Sequence, residues 1–275
     1  MDATAAAAPP PLPADISAYY GERFDEIDRL SRNAVGRLEF TRTQELLERV
    51  LPPAPAAVLD VGGGPGVYAA WLAALGHRVT LVEPVARHLE QAAAHGTFAV
   101  EQGDARALAA PDASFDAVLL LGPLYHLTEA ADRERALREA ARVVRPGGLV
   151  AAAFISRAAP LIDVSAKLGV LDDEAYTRLR ERRHDGVHVA SAGFTLAYFH
   201  TLPEIGADFA AAGLPEPEVL PVEGPLFGLL ASGLAENRPE FLEAAQRAAR
   251  LAEGHPSLTA ATGHLLASVR APAAA

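Results

Sequence analysis

Short apolar runs of strand length recur along the middle of the chain: Ala57–Val61 (AVLDV), Val79–Val82 (VTLV), Thr97–Val100, Ala117–Leu121 (AVLLL) and Leu149–Ile155 (LVAAAFI). Between them Val67–Leu75, Val85–Ala94 and Glu129–Val144 space their apolar positions three and four residues apart, as amphipathic helices do. Strands with so few polar positions, alternating with helices, predict a parallel sheet buried on both faces, that is, an open doubly wound α/β fold. Asp15 to Leu51 repeats the helical spacing through Phe24, Ile27, Leu30, Leu46, Leu47 and Val50 until Pro52 and Pro53 stop it. These are expected to be N-terminal helices.

After Ser156 the alternation pauses. The pattern predicts a helix over Asp172–Arg183, then a stretch rich in His and Gly, a helix over Leu202–Ala212 and a strand over Pro217–Val222. A further helix is expected over Pro239–Ala252, where Pro239 suits the first turn, and a closing strand over His264–Arg270. The segments at about 157–200 and 224–255 sit where helical caps over a ligand crevice sit, so a substrate cap is expected in each. Leu226, Phe227, Leu229 and Leu230 suit an interface or a cover for that crevice.

Composition narrows the chemistry. With 275 residues, 50% hydrophobic, the chain can bury one large core, expected to be a single domain over residues 15–275. Cys is absent, which removes disulfides, thiolate zinc sites and cysteine nucleophiles. The net charge of −11 opposes a phosphate backbone, and no basic arm offsets it, so no nucleic-acid partner is expected. Residues 1–14 lack the positive start and long apolar centre of a secretory signal and read as a mobile, disordered Ala/Pro leader. No apolar run reaches the roughly 18–20 residues that span a bilayer. The expectation is a cytoplasmic protein without a membrane partner.

The informative segment is Leu59–Gly66, LDVGGGPG, between the first strand and the following helix. Gly62, Gly64 and Gly66 follow Asp60 in a D-x-G-x-G-x-G spacing, which lets the chain turn tightly and a ligand lie against bare backbone and helix N–H groups. A dinucleotide fingerprint would place its third glycine at Val67. Glu83, 23 residues after Asp60, ends the second strand where an acid can hold two ribose hydroxyls. Asp104, in QGDA after the third strand, can accept from an adenine amine, and LGPLYH from Leu121 to His126 follows the fourth strand at the carboxyl edge where such sheets bind ligands.

Together VLDVGGGPG, LVEPV, EQGDAR, FDAVLLLGPLYHL and RVVRPGGLV, from about Tyr19 to Arg270, resemble the class I S-adenosylmethionine-dependent methyltransferases, in the bacterial small-molecule branch with a GPLYHL segment. The resemblance implies a Rossmann-like seven-stranded sheet whose last strand runs antiparallel. It further implies S-adenosylmethionine as cofactor: Asp60 to Gly66 around its methionine part, Glu83 on the ribose, Asp104 and Ala105 beside the adenine, and Leu121 with Gly122 beneath the sulfonium. The N-terminal helices would close over it, making Tyr19, Tyr20, Arg37 and Arg42 candidates for its carboxylate or for the substrate.

Methyl transfer is an in-line displacement accelerated mainly by positioning, with a base needed where the acceptor carries a proton. His126, on the loop after the fourth strand, is the leading catalytic candidate, and Tyr125 beside it the second. His184 and His188 could mimic metal ligands, but Gly186 interrupts the helix that would align them, and they suit cap packing. His77, His88, His95 and His255 are expected to face solvent, and burial in the last strand accounts for His264. No metal motif is present, so no metal is expected. The acceptor is expected to be a small metabolite, methylated at O, N or C, plausibly in specialised metabolism. Two alternatives keep the cofactor site: cyclisation or rearrangement without methyl transfer, and binding without turnover.

Overall fold

The computed structural model describes residues 11–168, 173, 176–177, 180, 185–190, 194–236 and 238–273. Nine strands lie among them: β1 (Ala57–Val61), β2 (Arg78–Glu83), β3 (Ala99–Gln102), β4 (Phe115–Leu120), β5 (Val144–Ser156), β6 (Val187–His188), β7 (Ala197–His200), β8 (Glu218–Pro221) and β9 (His264–Arg270). The order β3-β2-β1-β4-β5 is parallel throughout, and β9 pairs antiparallel with both β5 and β8. The seven expected strands are thus present with the last antiparallel. The count of seven is corrected to nine, because the segment after β5 adds β7 parallel to the tip of β5, with β6 antiparallel to β7.

Period two divides the apolar strand residues between the faces. Leu59, Val118, Leu120, Val150, Ala152 and Phe154 pack against Ala136, Leu137 and Ala140 of α6 (Ala130–Val143) and Ile205 and Phe209 of α8 (Leu202–Ala211). Their neighbours Val58, Ala117, Leu119, Leu149 and Ala151 pack on the opposite face against α3 (Ala34–Glu48), α4 (Val67–Ala74) and α5 (Ala86–Ala93). The strands are hydrophobic on both sides because both sides are covered.

The N-terminal helical pattern is broken up. It contains α1 (Ala14–Ala18), one π-helical turn (Tyr19–Arg23), α2 (Arg29–Arg32) and α3. Asn33 ends α2 and caps α3, its side chain accepting from the Gly36 N–H at 2.8 Å. The corner is tight: a Cβ on Gly36 would lie 2.3 Å from the Arg29 carbonyl oxygen. That contact fixes where Arg29 points.

The segment after β5 holds α7 (Ala159–Leu168), β6 and β7. The expected Asp172–Arg183 helix lies mostly outside the described residues, as do residues 1–10 of the leader and His184. The remaining helices are α9 (Phe227–Ala231), α10 (Pro239–Glu253) and α11 (Pro256–Thr259). Buried Arg133 clamps α6 to α8, donating to Asp208 at 2.7 Å and to the Leu127 and Thr128 carbonyls at 2.9 Å. Among the described residues no helix is long and apolar enough to cross a membrane.

Candidate active site

Strand order reverses between β1 and β4, and a cleft of about 1010 Å³, mouth included, opens over their carboxyl ends. This is the topological switch point at which doubly wound sheets bind ligands. Asp60, Gly62, Gly64, Glu83, Asp104, Ala105, Leu121, Tyr125 and His126 all reach its wall, brought together by four strand ends, and Tyr20 and Leu12 reach it from the N-terminal segment.

Asp60 ends up fully buried with neither carboxylate oxygen hydrogen-bonded by the protein. Burial, reinforced by the Glu83 charge, pushes its carboxyl up to about 7. Gly63 is obligatory beside it, because a Cβ there would lie 2.5 Å from Asp60 Oδ2. Glu83 accepts from the Gly64 and Val85 N–H groups, both at 3.0 Å, and so braces the glycine loop. Asp104 binds the Arg106 backbone N–H at 2.8 Å and its guanidinium at 2.9 and 2.7 Å. Gly66 does not reach the wall. It caps α4 at φ +88°, where a Cβ would meet Phe98 at 2.7 Å, so its part is to turn the chain into the helix.

His126 is held from two directions. A carbonyl only accepts, so His126 Nδ1–H donates to the Leu196 carbonyl at 3.1 Å; Nε2 therefore accepts from the Tyr20 hydroxyl at 2.8 Å. Burial pushes the imidazole down to about 4, partly opposed by the Leu196 bond. It is neutral near pH 7, and its basic lone pair is occupied. The Tyr125 hydroxyl stands 3.5 Å from the point a Cβ on Gly122 would occupy, and burial raises its pKa.

Two expectations about arginine are corrected. Arg37 lies off the cleft wall, its side chain 40% exposed and paired with Glu236 at 3.3 Å. Arg42, a residue of α3, is fully buried and paired with Glu45 and Glu253. Arg29, which the helical pattern did not single out, lines the cleft instead. Its Nε donates to Glu26 at 2.8 Å, and its two terminal nitrogens donate to Glu39 at 2.6 and 2.8 Å. The i, i+3 spacing of Glu26 and Arg29 was the available signal. His88 is also corrected: it is buried on the cleft wall, 3.3 Å from Glu83, and does not face solvent.

Behind Arg29, Glu39, Glu223 and His264 place their ligand-type atoms within 4.8 Å of one another. His264 Nδ1 lies 2.6 Å from Glu223 Oε1, and Glu223 also accepts from the Thr262 hydroxyl at 2.8 Å. Burial would raise Glu39, but Arg29 and His264 overcome this and hold it down to about 2. Burial would likewise lower His264, and Glu39 and Glu223 outweigh it, carrying the imidazolium up to about 9. A histidine raised above its unfolded value of about 6.5 stabilises the fold below that pH, and the contribution is lost as pH rises towards 9. Wild type should therefore lose roughly 1–3 kcal/mol more than His264→Gln between pH 6.5 and 9 in chemical denaturation. Parallel curves would refute the charged assignment.

A model of the methyltransferase domain family matches residues 59–152, which hold the glycine loop, Glu83, Asp104 and the Leu121–His126 segment. The stretch 59–152 is thus a methyltransferase domain, and its motifs are those of the class I S-adenosylmethionine-dependent type. Among its relatives are a ubiquinone biosynthesis O-methyltransferase of Methylocella silvestris, 39% identical over 36% of this chain and 40% of that protein, and the ubiquinone/menaquinone biosynthesis C-methyltransferase UbiE of Rubrivivax gelatinosus, 29% identical over 66% and 78%. The matched stretches cover under half the length of the first relatives. In fold, the chain resembles an S-adenosylmethionine-dependent methyltransferase of Thermotoga maritima described as a possible histamine N-methyltransferase, with a TM-score of 0.56, 21% identity and coverage of 86% and 91%. It also resembles the [4+2]-cyclase SpnF, with a TM-score of 0.53, 19% identity and coverage of 86% and 82%.

Proposed function

We propose that the chain transfers a methyl group from S-adenosylmethionine to an oxygen, nitrogen or carbon atom of a small metabolite, in specialised metabolism. The observation that carries this reading is Asp60, a buried carboxyl with two unpartnered oxygens on the wall of a switch-point cleft. Such a group needs a cationic hydrogen-bond donor, and an α-ammonium supplies one. The cofactor fits the remaining wall as well: open backbone at Gly62 and Gly64, the Glu83 carboxylate for a diol, and Asp104 with Ala105 for a purine edge.

When bound, S-adenosylmethionine supplies a methyl carbon made electrophilic by its sulfonium. The chain's own residues would position and enclose it. Tyr20, through its bond to His126, holds the N-terminal segment over the cleft, with Leu12 and Ile16 on the same wall. Arg29, on the cleft wall where Arg37 was expected, would be the candidate cation for the cofactor's carboxylate. The two catalytic candidates separate: His126 serves to fasten the cover, while Tyr125 stands beside Gly122 where an acceptor would approach. The segments 157–200 and 224–255 would form the substrate cap. The charge of −11 favours a small metabolite over a nucleic acid, although the relatives include a ribosomal RNA small subunit methyltransferase C.

Incubation with methyl-labelled S-adenosylmethionine and a metabolite extract, read by mass spectrometry, tests the reading. A labelled small molecule beside adenosylhomocysteine supports it. Methylthioadenosine in place of adenosylhomocysteine would establish cyclisation, and labelled RNA from added ribosomes would overturn the small-molecule assignment.

A further inference from the structure

The inner face of α5 lies against the glycine loop. Ala92 is fully buried there, its methyl 3.4 Å from where a Cβ on Gly66 would sit. One turn back His88 keeps the same face, its Nδ1 3.9 Å from the Cβ position of Gly64. A histidine is a costly choice for this stripe, since an apolar side chain would pack there with no polar atom to satisfy. His88 is 4% exposed, and its two ring nitrogens fare differently. A carboxylate only accepts, so Nδ1–H donates to Glu83 Oε1 at 3.3 Å. Nε2 is buried with no partner among the described residues.

Tyr20 packs on the ring, centroids 5.5 Å apart, but its hydroxyl hydrogen is already given to His126. His88 nevertheless lines the cofactor cleft beside Glu83 and Gly64. Nε2 is stranded in either state of the ring, as a lone pair when neutral and as an N–H when charged. A hydroxyl answers both, because it donates and accepts. In S-adenosylmethionine the alcohol hydroxyls are those of the ribose, and the acid suited to hold them, Glu83, is bound to the other nitrogen of this same ring.

We propose that His88 is a second anchor for the cofactor's ribose, its Nε2 sharing the diol with Glu83. This rests on the cofactor reading of the cleft and adds a residue that selects for an intact ribose. The ring would do two things at once: Nδ1–H orients the carboxylate, and Nε2 reads a hydroxyl.

Titration calorimetry with S-adenosylhomocysteine and its 2′-deoxy and 3′-deoxy analogues tests the proposal. Wild type should lose at least about fivefold in affinity when either hydroxyl is absent. His88→Asn sets its amide near the place of Nδ1, keeping a donor for Glu83 and leaving nothing at Nε2. In this variant adenosylhomocysteine should weaken at least about fivefold, and the loss at one of the two deoxy positions should shrink below about twofold while the other persists. His88→Gln, whose amide reaches the place of Nε2, should keep both losses. His88→Phe removes both nitrogens and serves should the Asn variant misfold. Equal weakening of all three ligands in a folded variant would give Nε2 to packing or to a bound water and overturn the proposal. So would both losses persisting undiminished in His88→Asn and His88→Phe. Failure of adenosylhomocysteine to bind the wild type would instead sink the cofactor reading itself, and the ribose role with it.

Discussion

Asp60→Asn is expected to weaken S-adenosylmethionine binding about 100-fold at pH 8 while making the ligand-free protein more stable, by at least about 1 kcal/mol. The two effects have one cause. The carboxylate is buried without a partner, so the empty protein carries an uncompensated charge that a ligand cation would neutralise. With the Asp60 carboxyl raised to about 7, the folded state keeps a proton that the unfolded chain has released above about pH 4. The folded state binds more protons across that window, so this residue's contribution to stability falls as pH rises from about 4 to 7, and the amide removes the fall. Binding has the opposite sign. A cationic ligand selects the ionised form, so wild-type affinity should climb with pH, by up to about tenfold per unit, and level off above about pH 7.5. Calorimetry across pH 5.5–8.5 on both proteins, with denaturation of the empty forms, reads all of this. Equal affinities would show that the cofactor does not meet Asp60.

Arg29→Met should cost about 3 kcal/mol of folding stability. It leaves the Glu39 carboxylate, 7% exposed, facing Glu26 and Glu223 without the guanidinium that both of its oxygens bind. Adding Glu39→Gln to the first change should restore at least about half of the loss, because a buried pair is stabilising mainly relative to one of its halves. Urea denaturation of the single and double variants closes the cycle. A loss below about 1 kcal/mol for Arg29→Met would show that solvent already screens the pair.

The contrast between Arg29 and Arg37 illustrates what could be read along the chain. The glycine loop, Glu83 and Asp104 were legible because each sits within a few residues of a strand end, and strand ends follow from local apolar runs buried on both faces. Arg29, Arg37 and Arg42 share a similar helical pattern, so choosing among them requires the corner at Asn33 and Gly36. That corner depends on how closely one helix end approaches the next. Strand β7 was missed because the sheet recruits it through only two paired positions at the tip of β5, too few to leave an apolar run. His88 was placed in solvent because it follows Arg87 on a polar-looking helix; its burial is set by Glu83 on another element. His126 follows a strand end and lines the cleft, yet the state of its ring depends on a carbonyl 70 residues away.

That carbonyl also decides what the roof of the cleft offers to a guest. With Nδ1–H spent on Leu196, the Tyr20 hydroxyl hydrogen is spent on Nε2, and what remains on the phenol oxygen is lone pairs. The roof at Tyr20 is therefore an acceptor surface. A ligand atom that comes to rest against it must bring its own hydrogen, so an amine or a hydroxyl is welcome there, while an ether, a carbonyl or a phosphate oxygen meets repulsion.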